Sequence, residues 1–101
     1  MYAVVRHNTY DPAQLAEHGD ALEAFDRLHR EQPGFRGHLS IQAPDGSTIV
    51  VNVWDSEADA QSGVQVLGPV VQHTVEPLFA RESVLLAAGP VVANDLLPTE
   101  G

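Results

Sequence analysis

Five histidines, His7, His18, His29, His38 and His73, are the side chains best able to move a proton near neutral pH. His18 and His29 fall on one helical stripe about three turns apart, roughly 16 Å at 1.5 Å per residue, too far to share one ion. A metal site built on that helix is therefore excluded. No cysteine is present, and no HExxH pattern or carboxylate cluster supplies another ligand set, so no metal is expected. Ser83 lacks a histidine and an aspartate at triad spacing, and no glycine loop could cradle a phosphate. His7 has two possible settings, because Tyr2-Val4-Arg6 and Ala3-Val5-His7 are both plausible inward faces of a first strand. His73 lies on the wetter side of a helix whose inward residues are Val71, Val75 and Leu78.

These residues need elements to hold them. Tyr2 to Asn8 is rich in β-branched and aromatic residues and reads as a strand. Asp11 with Pro12 opens a helix that runs to about Gln32, stopped by Pro33-Gly34, with Leu15, Leu22 and Phe25 on its apolar stripe. Glu17, Asp20, Glu23 and Asp26 form its solvated side. Pro33 to Ser56 then reads as a hairpin. Ala43-Pro44-Asp45-Gly46-Ser47 is a three-residue loop closed by a glycine bulge. That turn sets Leu39 against Val51, Ile41 against Ile49, His38 against Asn52 and Arg36 against Trp54. One face of the hairpin is apolar and the other mostly polar. The apolar face, with Phe35, is expected beneath the helices. The polar face, with Arg36, His38, Asn52 and Trp54, is expected against a second sheet.

Ser56 caps a second helix with Ala60, Val64, Leu67 and Val71 inward, and Gly68-Pro69 should kink or break it. Ser83 to Ala88 is the last strand. The order strand–helix–strand, twice, is the ferredoxin-like βαββαβ pattern, an α+β fold with a four-stranded antiparallel sheet ordered 4-1-3-2. Residues 1–94 form the expected domain and 95–101 a loose tail. A net charge of −9 argues against nucleic acid and against an anionic membrane surface. No apolar run approaches the roughly 20 residues of a membrane span, and the opening MYAVVRHN has no leader character. The expected location is the cytoplasm.

The segments PGF (Pro33–Phe35) and VWDS (Val53–Ser56), followed by a helix carrying Glu57 and Ala60, resemble the antibiotic biosynthesis monooxygenase-like family over Tyr2 to about Val92. The resemblance implies a homodimeric α/β barrel, its two sheets meeting at their open faces, with a pocket between the helices and the sheet of each protomer. It implies a cofactor-independent monooxygenase or an isomerase acting on a small apolar or aromatic compound. A haem-binding module using His73, or a non-catalytic ligand-binding dimer, is the alternative. In such catalysts an asparagine stands on the first strand and a tryptophan on the second helix. Here those places fall at His7, or with a one-residue shift Asn8, and near Gly63. Family register turns His7 into the pocket. The expected catalytic residues are His7 and His18, with Phe25, His29, Phe35 and Val71 contacting the small molecule. No cofactor is expected outside the haem alternative.

Overall fold

The computed structural model describes residues 1–98. Strand β1 (Tyr2–Tyr10) leads into helices α1 (Pro12–His18) and α2 (Asp20–Arg30), then strands β2 (Phe35–Gln42) and β3 (Thr48–Trp54). Helix α3 (Glu57–Val70) passes into a π-helical turn (Val71–Val75) and a 3-10 turn (Glu76–Leu78), and β4 (Phe79–Pro90) closes the sheet. The sheet is antiparallel, in the order β2-β3-β1-β4. That is the α+β ferredoxin-like arrangement expected from the pattern, with the order read from the other edge.

Local chemistry explains the boundaries. Asp11 is extended, and its Oδ1 accepts from the N–H groups of Ala13 (2.9 Å) and Gln14 (3.1 Å), with Pro12 at the first helical position. Ser56 caps α3 by accepting from the Asp59 N–H at 3.1 Å. In the hairpin loop the Ala43 N–H donates to the Ser47 carbonyl and the Gly46 N–H to the Ala43 carbonyl. Gly46 takes φ +87°, the left-handed setting the glycine bulge requires. Register follows from the loop as expected: His38 pairs with Asn52, Leu39 with Val51 and Ile41 with Ile49.

Four expectations are corrected. The first helix is two, because the chain breaks at Gly19 between α1 and α2. Helix α3 runs through Gly68 and Pro69, and the irregularity comes after them as the π-helical turn. A bulge between Phe35 and Gly37 places Phe35, not Arg36, opposite Trp54. Arg36 instead donates to Asp55 at 3.0 Å and to the Pro98 carbonyl. The fourth correction concerns the two sheet faces. Trp54, Asn52, Val50 and His38 lie beneath the helices, whereas Leu39 (50% exposed) and Ile41 (54% exposed) point away from them.

One core cluster lies at the Trp54 end of the sheet, and Val75 and Leu78 are buried apart from it, with the Leu78 carbonyl accepting from the Asp11 N–H. Trp54 is 3% exposed and packs with Ala60 and Leu67 of α3, joined by Tyr2, Val4, Phe25, Leu28 and Phe35. The opposite sheet face carries Val5, Leu39, Ile49, Val51, Val53 and Val84. Beyond β4, the Val91 N–H donates to the Met1 carbonyl, and Asn94 caps a short loop through the N–H groups of Leu96 and Leu97. The last three positions of the expected tail lie outside the described residues.

Candidate functional site

A cavity of about 710 Å³ lies between the helices and the sheet. Its floor is the inward face of β1, Val4-Arg6-Asn8-Tyr10, together with His38 and Ser40 of β2 and Val50, Asn52 and Trp54 of β3. Its roof is the apolar stripes of α1, α2 and α3, including Leu15, Leu22, Phe25 and Leu67, with Val71 of the π-helical turn. The volume falls within the range of small-molecule sites.

One end is aromatic. His29, at the C-terminal end of α2, has its ring centroid 4.6 Å from Phe35, 5.3 Å from Phe25 and 5.4 Å from Trp54. Phe35 meets Trp54 edge-on at 5.1 Å. His29 is 9% exposed, and its Nε2 has no hydrogen-bond partner. Burial, with the nearby His38 adding to it, lowers the pKa of His29 to about 4, so the imidazole is neutral at neutral pH. A ring on α3 near Gly63 would have no room, because Trp54 reaches that space from the strand. A Cβ at Gly63 would overlap Trp54 Cη2 and lie 2.8 Å from Cζ3.

The other end is polar. Arg6 Nε donates to Ser83 Oγ at 3.1 Å, and Ser83 Oγ donates to Asn8 Oδ1 at 2.5 Å. Asn8 is 8% exposed. Tyr10 stands beside it, with its hydroxyl pKa raised mainly by burial. The choice between His7 and Asn8 on the first strand thus resolves to Asn8, the residue whose side chain faces the cavity.

The expected residues divide between cavity and surface. Phe25, His29 and Val71 line the cavity, and Phe35 closes the aromatic cluster behind it. His7 does not line it. It sits on the outer sheet face, paired with Ile49 and Val84, its Nε2 2.7 Å from Ser47 Oγ. Ser47 donates its single proton to Asp45 Oδ1 at 2.5 Å, so His7 Nε2 is the donor in its own contact. The Ser47 hydrogen bonds also lower the Asp45 pKa. This chain of contacts leaves His7 no free nitrogen at Nε2 and removes it as a base for the cavity. His18 is exposed at the C-terminal end of α1, 4.0 Å from Glu17, and does not line the cavity. His73 is exposed on the π-helical turn and does not line the cavity. A haem held by it would lie outside the cavity, so His73 does not fit the role of a cavity haem ligand. His38, Asn52 and Trp54, expected at a dimer seam, are cavity residues, and Arg36 is tied to Asp55 beside the hairpin base. Arg6, Ser83 and Tyr10 carry no motif that sequence reading could recognise. Strand parity alone could have found them, once Asn8 was set inward. Among the described residues, no group of three His, Cys, Asp or Glu side chains is gathered as a metal site would need.

Known proteins place this arrangement. No curated protein matches the chain in sequence. Among solved structures, Rv0793 from Mycobacterium tuberculosis superposes with a TM-score of 0.75 at 13% identity, covering 94% of this chain and 98% of that one. A variant of SnoaB, a cofactor-independent oxygenase from Streptomyces nogalater, gives 0.69 at 20% identity over 92% and 97%. MhuD with two manganese protoporphyrin IX bound per active site gives 0.71 at 17% identity over 93% and 97%. At these identities the likeness is one of fold. The model of the family described as "Antibiotic biosynthesis monooxygenase" matches residues 1–62, from β1 into α3, a stretch that includes Arg6, Asn8, His29, His38 and Trp54. The chain belongs to the antibiotic biosynthesis monooxygenase family.

Proposed function

We propose that this chain is a homodimeric small-molecule enzyme that binds a largely apolar aromatic compound and oxidises it with dioxygen, without metal or flavin. The observation that carries this reading is the cavity of about 710 Å³ with an aromatic wall at one end and a polar relay at the other. The fold it shares with a cofactor-independent oxygenase supports the reaction class. His38 is the base offered to a bound molecule: it lines the cavity, is half-buried and makes no side-chain hydrogen bond among the described residues. Removing a proton from an activated CH₂ flanked by aromatic rings leaves an electron-rich anion. Dioxygen can oxidise that anion to a carbonyl, one oxygen atom entering the substrate and the other leaving as water, so no external reductant is needed. The apolar outer face of the sheet supports the homodimer, since an unpartnered face of this kind marks a protein contact.

The reaction is tested with an oxygen electrode and dithranol, a hydroxylated anthrone with such a CH₂. Wild-type protein is expected to accelerate oxygen uptake over the buffer rate, and His38→Ala to lower kcat by about 10²-fold or more. Turnover without oxygen uptake would point to an isomerase instead. Undiminished uptake in His38→Ala would remove His38 as the base.

A further inference from the structure

Arg6 is a cation turned into the cavity with four of its five N–H donors unspent among the described residues. It lines the cavity floor between Val50 and Leu85, its partners on the flanking strands. Only its Nε is used, toward Ser83. Its terminal nitrogens make no hydrogen bond to the described residues, and no carboxylate of those residues comes within ion-pair distance. They are not sealed in the core either, because His29 Nε2 is the sole buried unpartnered side-chain nitrogen or oxygen among the described residues. The relay from Arg6 Nε through Ser83 Oγ to Asn8 Oδ1 fixes the guanidinium plane and leaves its two-nitrogen edge open. In a chain of net charge −9, with Asp26, Glu76 and Glu82 on the same cavity, an arginine that pairs with no carboxylate among the described residues is available to a ligand.

We propose that Arg6 anchors an acidic oxygen of the ligand, so that the cavity selects an aromatic compound carrying a phenolate, enolate or carboxylate over a neutral one. This inference rests on the aromatic-binding reading above and gives it a substrate class. The guanidinium edge matches an oxyanion in two parallel N–H···O contacts. The row of Arg6 lies four residues along β1 from the row of Tyr2 and Trp54, roughly 13 Å at strand rise. A fused aromatic acid is shorter than that row spacing, so with its oxygen on Arg6 its rings extend along the floor toward the aromatic end. The three carboxylates of the cavity oppose a multiply charged anion, so a single delocalised charge is favoured over a phosphate.

Isothermal titration calorimetry at pH 7 with 2-naphthoate, naphthalene-2-carboxamide and 2-naphthol tests the anchor. Wild-type protein is expected to bind the carboxylate about ten- to a hundredfold tighter than the carboxamide of the same shape. Arg6→Gln should abolish that preference, weakening the carboxylate far more than the carboxamide, while Arg6→Lys keeps part of it. Ser83→Ala, which retains the charge but frees its orientation, should weaken naphthoate several-fold. Proton release on binding of 2-naphthol, measured in buffers of different ionisation enthalpy, would extend the class from carboxylates to phenols, and its absence would confine it to carboxylates. Equal affinity for carboxylate and carboxamide in wild type, or an intact preference in Arg6→Gln, overturns the inference and leaves the aromatic-binding reading standing. Failure of all three compounds to bind at millimolar concentration overturns that reading and the anchor with it. Circular dichroism of each variant separates loss of the anchor from loss of the fold.

Discussion

His29 shows how a single side chain can be costly and still be retained. Its Nε2 is buried without a partner, and the rings of Phe35 and Trp54 close over it. Burial favours the neutral imidazole. Below pH 6.5 the unfolded chain therefore takes up a proton that the folded chain refuses. Stability contributed by this site is lost as the pH falls from about 6.5 toward 4, and below 4 both states are protonated and the loss stops growing. His29→Leu keeps the volume and removes the titration. Urea denaturation should find it at least as stable as wild type at pH 7, and more stable by a wider margin at pH 4.5. A margin that is the same at both values would show that His29 is not buried neutral. Gly63 carries a second prediction. Any β-carbon there meets the indole of Trp54, so Gly63→Ala should cost about 1–3 kcal/mol, read as a lower urea midpoint. Trp54→Phe in the same chain should restore part of it. That Gly63 is a receptor for the strand tryptophan was not legible in the sequence, because the two residues meet only through tertiary packing. The neutral state of His29 was equally hidden, since it depends on rings from three separate elements.

The elements were more readable than the side chains they carry. Turn chemistry at Pro44-Asp45-Gly46 fixed the hairpin register, and caps at Asp11 and Ser56 marked two helix starts. Removing the first cap, in Asp11→Ala, should destabilise the fold by about 1 kcal/mol, visible as a lower denaturation midpoint at unchanged slope. The break at Gly19 was missed because the apolar stripe of Leu15, Leu22 and Phe25 spans it, and a stripe of three residues tolerates a small change of phase. The largest error was the choice of sheet face. Alternation along β2 and β3 sorts residues into two sets but does not say which set the helices cover. The usual expectation places the apolar set inside. Here the helices roof a chamber whose floor needs Arg6, Asn8 and His38, and the more apolar set is turned outward. The same parity decides between His7 and Asn8. Once the covered face is known, every inward residue of β1 follows.

At the scale of the molecule, the outward face is an unpaid obligation of the fold. Leu39, Ile41 and Val84 are each about half exposed and lie on the two edge strands, β2 and β4. A second copy set against this face would cover them, and it would bring His7, Ser47 and Asp45 into the seam. Leu39→Asp with Ile41→Asp should convert a dimer to a monomer in sedimentation velocity, while the same pair of changes at Ser40 and Gln42, on the other face, should not. A monomeric wild type would remove the homodimer from the proposed function. The sequence contains one tryptophan, and the fold sets it in the wall of the chamber against Gly63 and His29. Its emission thus comes from a single, known place. A molecule entering the chamber must change the surroundings of that indole, so the protein reports its own occupancy by light, with no label attached.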